Sequence, residues 1–127
     1  MPLKVFIVED NKAARDTLAE LLTASIGVSV VGQADSEYAA TEWLEAHEGQ
    51  WDLLISDLLL VPGGSGFGLI HRARYRPDAG KVVVFSDFVT DAVAQRCLKL
   101  GAHAVFRKSE LAELLQFVRA LGDADGA

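Results

Sequence analysis

The feature that most limits what this chain can fold into is a repeated change of hydrophobic period. Short apolar runs at Lys4–Val8, Val28–Val31, Trp51–Ile55, Lys81–Phe85 and His103–Phe106 alternate with stretches whose apolar residues recur at helical spacing. A short run with little polar alternation suits a strand covered on both faces. Between the runs, Ala14, Leu18, Leu21 and Leu22 form one helical stripe, and Ala39, Ala40, Trp43 and Leu44 another. Phe67 to Tyr75 reads as a short helix; Val93, Cys97 and Leu100 lie on one face of the next. Leu111, Leu114, Leu115, Val118 and Leu121 mark the last. Five strands alternating with five helices at about 25 residues per unit predict an α/β, doubly wound five-stranded parallel sheet, with helices on both faces.

Local signals punctuate this pattern. Asp10 or Asn11, Ser36, Thr90 and Ser109 stand where helix N-caps belong, and Gly101 stands at a C′ position. Leu58 to Gly66, LLLVPGGSG, is the richest loop; its PGGSG lacks the GxxxxGK spacing of a phosphate loop and reads as a tight exit from the third strand. GDADGA reads as a frayed end. A single domain over 1–127 is expected, with its core at about 3–121 and a flexible tail at 122–127. The 127 residues are 50% hydrophobic and 24% charged, enough for one core and too apolar for a disordered chain. A net charge of −6 weighs against direct nucleic-acid binding. The one cysteine, Cys97, permits no intrachain disulfide and reads as a core residue. No apolar run reaches the ~20 residues of a membrane span, and the acids at Glu9 and Asp10 cut the first run too short for a signal peptide. The cytoplasm is the expected compartment. His47, His71 and His103 read as incidental, and Trp43 and Trp51 as packing residues.

In an open parallel sheet the functional crevice lies beyond the carboxyl ends of the strands. There the first strand delivers Glu9 and Asp10, the third Asp57, the fourth Ser86 and Asp87, and the fifth Lys108. If the first and third strands are neighbours, three carboxylates converge, and like charges held together need a proton or a cation. Oxygen ligands of this kind suit Mg²⁺, and no strand end carries the softer ligands of a zinc site. With Ser86 and Lys108 the set fits phosphoryl transfer. Asp57 is a carboxylate nucleophile able to form an acyl phosphate, and Lys108 and the metal neutralise the phosphoryl oxygens. Ser86 donates a hydrogen bond to one of them. The added charge is enough to move a local element, here the loop after Ser86 and the helix from Thr90 to Leu100.

VFIVEDN at Val5–Asn11, LLISDLLL at Leu53–Leu60, VVVFSD at Val82–Asp87 and GAHAVFRKS at Gly101–Ser109 together resemble the receiver domain of bacterial two-component response regulators, over about Leu3 to Leu121. That resemblance implies a flavodoxin-like sheet of order 2-1-3-4-5. It implies that Glu9 and Asp10 hold Mg²⁺, with Asp57 the phosphoacceptor and the Leu59 backbone carbonyl a further metal ligand. Ser86 would be the family's hydroxyl residue and Lys108 its lysine. The donor would be a phosphohistidine on a sensor histidine kinase or a histidine phosphotransfer protein. A homodimer or a downstream protein would use the face of helix 4, strand 5 and helix 5, including Arg96, Lys99, Arg107 and Glu110.

The chain departs from the family pattern in four places. Val105 stands where an inward-swinging aromatic is common, with Phe106 one residue later and on the opposite face of its strand. Ser109 replaces the usual proline after the lysine, Asp87 replaces a small residue after Ser86, and the loop before Gly66 is one residue longer. The leading expectation is a stand-alone phosphorylation-activated switch that is not an enzyme acting on other substrates. A receiver cut from a longer transcription regulator or hybrid kinase is the alternative. An aspartyl-nucleophile phosphatase is disfavoured because Leu59 occupies the position of its second acid, and an FMN binder because the acids would repel the cofactor phosphate. A degenerate binding module is disfavoured because every reactive group is present.

Overall fold

The structure is a computed structural model that describes residues 2–60 and 64–126. Five strands form one parallel sheet: β1 Lys4–Val8, β2 Ser29–Ala34, β3 Leu53–Ser56, β4 Lys81–Ser86 and β5 Ala104–Arg107. The spatial order is β2-β1-β3-β4-β5, as expected. The helices are α1 Lys12–Ile26, α2 Glu37–Ala46, α3 Gly66–Arg74, α4 Asp91–Leu100 and α5 Leu111–Gly126. A two-residue antiparallel ribbon, Leu59–Leu60 against Gly64–Ser65, was not foreseen.

Strand alternation divides the core in two. Phe6, Val8, Leu54, Val82 and Val84 face α2, α3 and α4, where Leu44, Leu69, Ile70 and Cys97 are buried. Val5, Ile7, Leu53, Ile55 and Val83 face α1 and α5, where Leu18, Leu22, Leu114 and Val118 are buried. Each fully buried aliphatic or phenyl side chain is worth about 1.5–3 kcal/mol relative to exposure, so packing on both faces holds the sheet between its helices. Trp43 stacks on Phe6 at 4.0 Å, and His47 stacks on Trp43 at 4.2 Å. The Trp43 indole lies where a side chain at position 32 would stand, so Gly32 is required by close approach. Among the described residues no helix is long and apolar enough to cross a membrane.

The caps resolve one open choice and correct another. Asn11, not Asp10, caps α1, its side chain accepting from Ala14 N at 2.9 Å. Ser36 and Thr90 cap α2 and α4 as predicted. Gly101 closes α4 at φ 115°, a conformation that favours glycine. Ser109 is not a cap. It lies inside a 3-10 turn, Lys108–Glu110, where Glu110 Oε1 accepts from Arg107 N at 2.8 Å and does the capping instead. The tight turn leaves Lys108 at the strand end, and α5 begins only at Leu111. α5 runs through Gly126, so helix extends into the stretch expected to be a tail. Gly122 sits in open space and costs the helix only about 1 kcal/mol relative to alanine, with no proline to stop it. Pro62 and Gly63 of the PGGSG loop lie outside the described residues, so its expected tight exit does too.

Candidate functional site

Register places the site. Val8 pairs with Ser56 and Ser56 with Val84, so the residues that follow β1 and β3 leave the sheet side by side. Asp57 N donates to Val8 O at 3.0 Å, and Glu9 N to Ala34 O at 3.0 Å, which anchors both acids to neighbouring strands. Ser86 is the last residue of β4, and Lys108 the first after β5.

Asp57 is buried. Its Oδ1 accepts from Leu58 N at 2.6 Å, from Ser86 Oγ at 2.5 Å and, more weakly, from Leu59 N at 3.3 Å. These donors fix the plane of the carboxylate and leave Oδ2 toward Lys108, whose Nζ is 3.0 Å away. Lys108 also forms a short ion pair with Glu9 Oε1. The other Glu9 oxygen accepts from Asn11 N at 3.0 Å. Oxygens of Glu9, Asp10 and Asp57 all lie within 4.8 Å of one another.

The electrostatics pull these groups apart. Burial raises the Glu9 pKa most, and with the hydrogen bond to Asp10 and the charge of Asp57 it outweighs the lowering by Lys108 and Asn11. Burial pushes Asp57 the same way, but the Ser86 and Lys108 hydrogen bonds outweigh it, so its net shift is downward. Burial lowers the Lys108 pKa, and its bonds to Glu9 and Asp57 more than reverse this, so it stays firmly cationic. The fold thus favours the ionised form of the oriented Asp57 carboxylate and penalises that of Glu9. Hard oxygen ligands in excess of the nearby cationic charge suit Mg²⁺.

Glu9, Asp10, Asp57, Ser86 and Lys108, all predicted from the strand ends, come together at one edge of the sheet. Asp87 is exposed in the turn beyond Ser86. Val105 packs with the α2–α4 core, while Phe106 faces the other way, edge-on to Phe117 at 5.8 Å, as the alternation of β5 predicts. On the expected partner face, Arg96 lies over the Phe67 ring of α3 at 4.1 Å, and Arg107 turns toward the β4–α4 loop. Two contributors escaped sequence reasoning. Arg15 Nη1 donates to the Glu9 carbonyl at 2.7 Å, from a helix position that carries no motif. A side chain at Gly66 would stand 2.5 Å from Asp57 O and 2.7 Å from Leu58 Cα. That glycine lets α3 abut the Asp57 backbone; its position at the start of α3, right after the glycine-rich loop, was the available signal.

A doubly wound sheet whose carboxyl edge carries an acidic cluster with oxygens close enough to hold a metal ion is consistent with a phosphorylation-controlled, Mg²⁺-dependent signalling domain. The chain belongs to the response regulator receiver domain family, whose family model matches residues 5–119. It is similar to the response regulator GacA of Pseudomonas syringae, 32% identical over 119 residues, covering 92% of this chain and 54% of that protein. It is also similar to the response regulator VraR of Staphylococcus saprophyticus, 28% identical over 120 residues, covering 91% and 56%. The chain thus spans about half the length of these curated relatives. Among solved structures, the signal receiver domain of a NarL response regulator from Mycobacterium tuberculosis matches with a TM-score of 0.81 and 27% identity, over 97% of this chain and 95% of that one.

Proposed function

We propose that Asp57 is the phosphoacceptor, that Ser86 and Lys108 are its catalytic partners, and that Glu9, Asp10, Asp57 and the Leu59 carbonyl hold Mg²⁺. The observation that carries this is the fixed carboxylate of Asp57, with donors on Oδ1 and an ammonium beside Oδ2. The donor is a phosphohistidine on a sensor histidine kinase or a histidine phosphotransfer protein. An Asp57 oxygen forms the new O–P bond as the donor's P–N bond breaks, and the imidazole leaves with the electron pair. Lys108 then lies where a phosphoryl oxygen needs a counter-charge, and Ser86 where another needs a hydrogen bond. Bound Mg²⁺ would neutralise phosphoryl oxygens and relieve the repulsion among the acids. Water attack on phosphorus later breaks the aspartyl O–P bond, releasing inorganic phosphate and returning the free carboxylate. Residues 3–121 form the receiver body, and the output is a change in protein contacts.

Incubation with acetyl phosphate and Mg²⁺, followed by intact mass, tests this. One added phosphoryl group is expected, and none on Asp57→Asn. An equal adduct on that variant would overturn the assignment.

A further inference from the structure

We propose that Arg107 is the positioning residue that carries occupancy of Asp57 to the amino end of α4. This rests on the phosphoacceptor reading above and assigns its readout. An aromatic relay from β5 is closed to this chain, because Phe106 packs against Phe117 on the far face and Val105 has no ring. Strand alternation sends Arg107 out on the same side as Val105, toward α4. There its Nε donates to the Val89 carbonyl at 3.0 Å. Its two terminal nitrogens lie 3.5 Å from Asp91 Oδ1 and 3.6 Å from Glu110 Oε1. Asp91 begins α4, and Glu110 closes the turn before α5.

The contact runs unbroken back to the phosphoacceptor. Ser86 Oγ donates to Asp57 Oδ1 at 2.5 Å and accepts from Phe88 N at 3.3 Å. Val89, next in the chain, is buried and presents its carbonyl to Arg107, while Phe88 is 58% exposed. Once Asp57 is phosphorylated, its carboxylate charge is gone and the best acceptors for Ser86 are phosphoryl oxygens farther out. A hydroxyl that turns to them draws Phe88 N with it, since that amide is bound to the same oxygen. Val89 follows, and its bond to Arg107 is strained or broken. The guanidinium has room to move: it is half-exposed, and its pairs with Asp91 and Glu110 are long and solvated, so they hold it only weakly. The hydrogen bond to Val89, not the charge, is therefore the coupling element.

The test is amide hydrogen exchange on the full chain, with and without beryllofluoride and Mg²⁺, a phosphoryl mimic. In the wild type, binding should change exchange at residues 88–94 by about tenfold or more. In Arg107→Gln that change should fall to within about twofold, while acetyl phosphate still labels Asp57 to the wild-type extent. Arg107→Lys keeps the charge but loses the Nε donor, and should also lose most of the response; Asp91→Asn should keep it. Should Arg107→Gln not fold, Arg107→Lys decides alone. A full response in either Arg107 variant overturns the proposal. So does a folded Arg107 variant that no longer labels, because Arg107 would then act on the site itself. A wild type that does not label overturns the phosphoacceptor reading first, and the relay with it.

Discussion

The same strands carry polar residues at both ends, and the two ends of the sheet behave differently. At the amino end, side chains satisfy backbone. Asp52 Oδ2 accepts from Lys4 N at 2.8 Å, and His103 Nδ1 accepts from Val82 N at 3.0 Å. These groups tie one strand start to the next. At the carboxyl end, side chains answer one another: Glu9, Asp57 and Lys108 form a linked trio, with Asp10 at its edge. Buried polar groups that only complete backbone hydrogen bonds stabilise. Buried charges that need each other make a site whose state changes when a charge is added or removed.

The largest contrast is chemical. Asp57→Asn should lose the phosphoryl adduct entirely, whereas Asp52→Asn should label like the wild type and lose only about 1 kcal/mol of stability for its weakened backbone bond. Intact mass and urea unfolding read the two effects. Labelling that depends on Asp52 would break the distinction between the ends.

The next effect separates the ends by stability. Lys108→Met leaves Glu9 and Asp57, 8% and 7% exposed, without their ammonium. Stripping one partner from a fully buried pair costs about 3–5 kcal/mol. Lys108 is 25% exposed, and Ser86 and the backbone amides remain, so a loss of roughly 1–3 kcal/mol is expected. Millimolar Mg²⁺ should restore more stability to this variant than to the wild type. Equal stabilisation of both in urea titrations would mean that Lys108 and the metal do not answer the same charge.

How much of this was legible before the structure follows from what each residue depends on. The period changes gave all five strands, and the strand-end rule then delivered Glu9, Asp10, Asp57, Ser86 and Lys108 to one edge, because register in a parallel sheet follows from burial on both faces. The Val105–Phe106 offset was also legible, since alternation along a strand is fixed by backbone geometry. What was not legible depends on contacts remote in sequence. Arg15 finds the Glu9 carbonyl, and Arg107 finds the Val89 carbonyl, only once helices and loops are placed. The contact of Arg96 with the Phe67 ring was hidden for the same reason, since Phe67 sits on another helix. Ser109 misled because a hydroxyl near a helix start is a good local signal, yet Glu110 outcompeted it with a charged oxygen reaching Arg107 N.

A smaller effect runs opposite in sign to most substitutions. Asp10 contributes to holding the Glu9 pKa up. A buried carboxylate with a raised pKa is less stable charged in the fold than in the open chain, so it opposes folding above that pKa. Asp10→Asn should therefore raise metal-free stability near pH 7 by about 0.5–1 kcal/mol. The same change should remove most of the Mg²⁺ stabilisation. An Asp10→Asn protein that is less stable without metal would show that the acidic cluster is not under charge strain.

The smallest effect belongs to the quiet end. Burial lowers the His103 pKa, and the nearby charges of Lys81 and Arg74 lower it further from its ordinary 6.5. The Val82 N–H donates to Nδ1, a bond that only an unprotonated nitrogen accepts. A base whose folded pKa is depressed binds fewer protons in the native state than in the unfolded one. Stability then rises with pH between the depressed value and 6.5, and is lost as pH falls through that window. Near pH 7.5 the neutral ring contributes its full share. His103→Gln should flatten this dependence, by about 0.5 kcal/mol across the window. The raised Glu9 acts with opposite sign in acid, so the measurement is the difference between wild type and variant in urea unfolding, in which the Glu9 contribution cancels. Acetyl phosphate labelling at Asp57 should be unchanged in the variant. A change in labelling would mean that the two ends of the sheet are coupled after all, through β4 or β5, and that the amino end does more than hold strands in place.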